Sequence, residues 1–70
     1  MKNHCYVTKK DEGIYIDCPY DEDFLEVLKS HIPSAHRKWH KDLNQWWVSD
    51  EYRAQAERDC RTFFENVIEC

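Results

Sequence analysis

The stretch HCYVTKKDEGIYIDCP, residues 4–19, constrains the fold more than any other part of the chain. Polar and apolar residues alternate twice within it. Cys5 and Val7 point one way, and His4, Tyr6 and Thr8 the other. Ile14, Ile16 and Cys18 share one side, and Tyr15 and Asp17 the other. A period of two is the repeat of a half-buried strand. Two such runs across a short polar loop predict a hairpin. The only glycine, Gly13, ends the loop KKDEG and suits a position that needs a positive φ angle. Pro19 ends the second strand because it cannot donate to the ladder.

The hairpin's apolar side needs a covering layer, and the following residues supply one. YDEDFLEVLKSHI predicts a helix, with Asp21 as N-cap and acids in the first turn where the helix dipole favours them. Phe24, Leu25, Leu28 and Ile32 recur at helical spacing, and Pro33 stops the helix. AHRKWH and QWWV predict a second hairpin, turned by KDLN. In it Ala35, Arg37 and Trp39 share one side, His36, Lys38 and His40 the other, and Trp46 and Val48 oppose Trp47. Trp39 is expected in the core. Ser49 is expected to cap a last helix whose buried stripe is Tyr52, Ala56, Cys60, Phe63, Phe64 and Val67. Gln55 and Asp59 stay unassigned to either face. The expectation is an α+β domain of order ββαββα: a four-stranded, mainly antiparallel sheet with both helices on one face. The other face is left to water.

Seventy residues make one domain, 1–70, and a small core that aromatics at 14% help to fill. No apolar run approaches the roughly 18 residues of a membrane span. The N-terminal residues lack the apolar stretch of a secretory signal, so a cytoplasmic protein, in a host cell if phage-encoded, is expected. On that reading Cys5, Cys18, Cys60 and Cys70 are free thiols, the first three acting as small buried hydrophobes. The net charge of −4 hides a separation. Residues 11–28 hold seven acids and no Lys or Arg, whereas residues 29–41 hold Lys29, Arg37, Lys38, Lys41 and three histidines with no acid. Such a molecule has two electrostatic ends.

The second hairpin carries the chemistry. Single-stranded nucleic acid is held by cations along its backbone and by aromatic faces that stack on bases, each stacked base contributing about 1–3 kcal/mol. Arg37, Lys38, Lys41 and Trp47, with Tyr15 as a stacking partner, are the expected contacts. The bland alternative is that the aromatics fill the core and the charges form a solvated rim. His36 and His40 would lie roughly 13 Å apart on a strand, too far for one metal ion, even with Cys5 and Cys18 nearby. Carboxylates, histidines and thiols abound, but so small a domain has little room for a water-excluding pocket. No catalytic residues, metal or cofactor are expected. The acidic run at 11–26 reads as a polar turn and a favourable helix start, with phosphate mimicry as the alternative.

From residue 14 to residue 67 the chain resembles the HARP-type domain of annealing helicases and its small phage and bacterial relatives. The resemblance rests on Pro33, the Arg-x-Trp of Arg37 and Trp39, Trp46 or Trp47 before a valine, and the Phe63–Phe64 pair. That family usually has an aspartate where this chain has His40. The resemblance implies binding of single-stranded or forked DNA as an accessory to a motor. The chain itself has no P-loop. A small non-enzymatic DNA-binding module, working alone or with a replication or repair protein, is therefore the expectation. A protein-interaction module is the alternative, for example a phage-encoded inhibitor docking through Trp47 or the acidic helix.

Overall fold

The computed structural model describes residues 4–69. Its two layers are a five-stranded mixed sheet and two helices. The strands are β1 (His4–Lys10), β2 (Gly13–Asp17), β3 (Arg37–His40), β4 (Gln45–Ser49) and β5 (Asn66–Glu69). The helices are α1 (Glu22–His31) and α2 (Arg53–Phe63). Across the sheet the order is β3-β4-β2-β1-β5, antiparallel except for the parallel pair β1–β5. The four strands read from the sequence are present, but β3 starts at Arg37: Ala35 and His36, expected in that strand, lie in a 3-10 turn, Ser34–His36, that follows Pro33. The fifth corrects that reading: Val67 sits in β5 opposite Cys5 and does not extend the stripe of α2.

The first hairpin is tighter than expected. Lys10 pairs with Gly13, so only Asp11 and Glu12 form the loop, and both take left-handed backbone, φ 56° and 60°. Two consecutive left-handed residues match the right-handed twist of the strands. Gly13 has no positive φ; its lack of a side chain is used differently, inside β2. A Cβ there would meet the Val48 carbonyl oxygen, and would lie 2.7 Å from Trp47 Nε1. The glycine thus lets β4 and the Trp47 indole close over β2. In the second hairpin Asn44 takes the left-handed position, φ 58°, as its short polar side chain allows.

Alternation sorts the sheet into two faces. Cys5, Val7, Ile14, Ile16 and Val48 join Phe24, Leu28, Ile32, Ala56, Cys60 and Phe64 in one core, so both helices cover the same face. Asp21 caps α1 as expected, its Oδ1 accepting from the Phe24 amide at 3.0 Å. Ile32 turns extended ahead of Pro33, its amide still bonded to the Leu28 carbonyl at 3.0 Å. Ser49 is a correction. It precedes a 3-10 turn, Asp50–Tyr52, makes no side-chain cap, and shares a 2.9 Å hydrogen bond with His36 Nδ1. The helices also meet through a polar contact. Asp59 is buried on the α1 side of α2 and accepts from His31 Nδ1 at 3.0 Å and from Gln55 Nε2 at 3.1 Å.

Trp39 is a second correction. It lies on the helix side of β3 but at the sheet's edge, beyond what the helices reach, and is 45% exposed. It rests against Trp46, ring centres 5.4 Å apart. No helix among the described residues is long and apolar enough to cross a membrane.

Candidate functional site

The face away from the helices is built by the residues that alternate with the core. Strand pairing sets Thr8 opposite Tyr15, Tyr15 opposite Trp47 and Trp47 opposite Lys38. The result is one row across four strands: Thr8, Tyr15, Trp47, Lys38. Trp47 is therefore the outward tryptophan and Trp46 the inward one, which answers a question the sequence left open. Lys38 is exposed, and Lys41 is exposed in the turn that follows. Beside the row lies a depression of about 260 Å³ lined by Thr8, Lys10, Tyr15, Leu43 and Gln45. Lys10 adds a third exposed lysine to this face, one that the sequence reading did not single out. Its signal was there: it is two positions beyond Thr8 and so shares its side of β1.

The structure separates two of the expected contacts from the rest. Arg37 lies on the helix side, its Nε donating to the Ile32 carbonyl at 3.0 Å and its guanidinium 6.0 Å from the centre of the Trp46 ring. It is an anchor for the β3 end, not part of the lysine-bearing face. Tyr15 faces outward but is only 8% exposed. His40 meets it edge-on at 5.1 Å, and its hydroxyl donates to Asp11 Oδ2 at 2.8 Å. A ring held this way offers no free face for stacking.

That hydrogen bond raises the Tyr15 phenol above its ordinary range: ionisation would remove the donor and set an anion beside the Asp11 carboxylate. The folded protein keeps this proton at a pH where the unfolded chain loses it. The associated stability is intact below about pH 10 and is lost as pH rises through the folded value. Asp11→Asn should move one tyrosine ionisation step down in pH, read by tyrosinate absorbance as a difference from wild type. An unchanged profile would show that Asp11 does not hold Tyr15.

Trp47 is held less firmly. Its indole lies over Gly13, half-buried, and its Nε1 is enclosed with no hydrogen-bond acceptor among the described residues. An enclosed N–H without a partner costs about 1–3 kcal/mol. That cost opposes the packing that keeps the ring down.

The thiols are held back by their surroundings. Cys5 and Cys60 are buried free thiols, and Cys18 is a partly buried one; Cys70 lies outside the described residues. The Cys18 hydrogen bond lowers the Cys5 thiol, but its bond to Cys60 and its burial prevail, and it is pushed up to about 12. A thiol that stays protonated is a poor nucleophile and a poor metal ligand. Among the described residues no three His, Cys, Asp or Glu side chains are grouped to hold a metal ion. No known family model, curated protein or solved structure matches the chain.

Proposed function

We propose that the protein is a small non-enzymatic module that binds single-stranded or forked DNA on the uncovered face of its sheet. The observation that carries this reading is the row Thr8–Tyr15–Trp47–Lys38, flanked by Lys10 and Lys41, on the side without helices. Lysines there meet phosphates. Trp47, with its unpartnered N–H, turns outward to stack on a base and regains a solvent or base partner for that group. Tyr15 is the cross-strand neighbour of Trp47 and does not itself stack. The resemblance to HARP-type domains points to the same ligand, and an accessory role beside a replication or repair motor follows from it.

Net acidity makes the binding weak, and the lysine–phosphate contacts make it salt-dependent. Three lysine–phosphate contacts on a single strand give a slope of about −2 in log affinity against log salt. Titration of fluorescent single-stranded and forked oligonucleotides at two salt concentrations reads that slope. Replacing Lys38 and Lys41 together by Glu should weaken binding about tenfold or more and take the slope below about 1 in magnitude. Trp47→Ala should weaken binding about tenfold with the slope unchanged, because a stacking contact releases no counterions. Absence of binding at low salt removes the proposal, and so does a double lysine variant that binds like wild type.

A further inference from the structure

The helix layer carries a separate feature. Where β2 ends and α1 begins, a cleft of about 270 Å³ opens toward the β3–β4 hairpin. Phe24 and Leu25 line it from α1, Trp46 and Trp39 from the hairpin, and Tyr20 from the connecting loop. Two of these rings are bare: Tyr20 is 81% exposed and Trp39 45% exposed. Large aromatic rings left in water beside a cleft mark a surface that meets something.

The charge around the cleft names the partner's chemistry. Asp17 and Asp21 line it, Glu22 and Asp23 follow in the exposed first turn of α1, and residues 11–28 hold no Lys or Arg. Asp21 uses one oxygen to cap α1, which leaves the other free. The Cys18 thiol, also on the cleft wall, is raised by its hydrogen bond to Cys5, then by burial, and further by the negative charge of Asp17 and Asp21. Both carboxylates therefore lie close enough to act on the Cys18 thiol. The protein already sets cations over one of these rings: Lys29 Nζ and the Arg37 guanidinium each lie 6.0 Å from the Trp46 ring centre. Tyr20 and Trp39 have no such cation among the described residues.

We infer that this cleft receives an arginine side chain from a partner protein, its guanidinium stacked between Tyr20 and Trp39 and neutralised by Asp17 and Asp21. Arginine suits the site better than lysine because its planar head stacks on rings and still donates sideways to carboxylates. DNA is repelled by the same acids, so this surface and the lysine-bearing face take different ligands.

The test is a tryptophan-fluorescence titration of the full chain with a short peptide carrying two arginines, against the same peptide with citrulline in their place. Citrulline keeps the shape and removes the charge. The arginine peptide should saturate the signal and bind about tenfold tighter than the citrulline peptide. Tyr20→Ala, at a residue too exposed to hold the fold, should weaken it about fivefold, and Trp39→Ala about tenfold. Lys38→Glu with Lys41→Glu should leave the arginine peptide's affinity undiminished whatever it does to DNA, so the two proposals fail separately. Equal affinity for both peptides overturns the inference. Full affinity in both ring variants also overturns it, since only diffuse attraction to an acidic protein would remain. Sedimentation showing a dimer that Tyr20→Ala converts to monomer overturns it too, by assigning the cleft to a second copy.

Discussion

Gly13→Ala is expected to destabilise the protein by about 3 kcal/mol, and Gly13→Val to leave little folded chain. A small domain of this size has about 5 kcal/mol in total. The added methyl group would overlap the Val48 carbonyl oxygen and approach the Trp47 indole to 2.7 Å at Nε1 and 2.8 Å at Cε2. The indole can turn away. The carbonyl cannot, because β2 and β4 are tied there by the register Gly13↔Ser49 and Ile14↔Val48. Urea unfolding followed by far-ultraviolet circular dichroism measures the loss. A double-mutant cycle with Trp47→Ala divides it: the alanine at 47 should recover only the part due to the ring, with most of the penalty remaining. A midpoint unchanged in Gly13→Ala would mean that β4 does not approach β2 this closely. The candidate DNA face would then lose the floor on which Trp47 rests.

The same glycine shows where the sequence was legible and where it was not. Alternation in residues 4–18 and 35–48 is enough to place two hairpins, because a one-residue slip would turn every core side chain to water; it does not show that Ala35 and His36 leave the strand for a 3-10 turn. Asp21 and Pro33 bracket α1 by side-chain chemistry alone. These signals are local. The role of Gly13 is not, since it depends on a strand 35 residues further along the chain. By local rules a glycine after KKDE takes the left-handed turn position, yet Asp11 and Glu12 take it. Strand β5 was missed for a related reason. It is four residues long, and Val67 falls in step with the apolar repeat of α2. Only the open edge of β1 decides that these residues extend. At the candidate site, alternation set Lys38 and Arg37 on opposite sides of β3, but it left open which of Trp46 and Trp47 faces outward, and Arg37 was still expected among the contacts. Nor could it tell that Tyr15, on the outward side, is closed in by His40 and Asp11, or that Trp39, on the inward side, lies past the reach of the helices. Which side a residue faces is set by its own strand. How far it is covered is set by neighbours from elsewhere in the chain.

Phe24→Ala should cost about 3–5 kcal/mol, enough to abolish the cooperative urea transition at room temperature in a domain this small. Phe24 is fully buried and ties three elements together. It starts α1 just beyond the Asp21 cap and meets Phe63 edge-on at 5.9 Å at the end of α2. It meets Phe64 edge-on at 5.1 Å, where the chain turns extended toward β5. Truncation removes both ring contacts and leaves a cavity that the sheet behind it cannot close, because strands collapse only as a unit. Phe63→Ala, at a partly buried ring, should cost about half as much. The comparison tests the architecture beyond the single residue. If Phe24 joins α1, α2 and the approach to β5, its loss unfolds all of them in one step, and far-ultraviolet dichroism and tryptophan fluorescence fall together. A variant that lost α2 while keeping the hairpins would show two separated transitions. That outcome, or a smaller shift for Phe24→Ala than for Phe63→Ala, would mean that the helix layer is not assembled around this ring. Phe24→Leu keeps most of the volume and should stay folded.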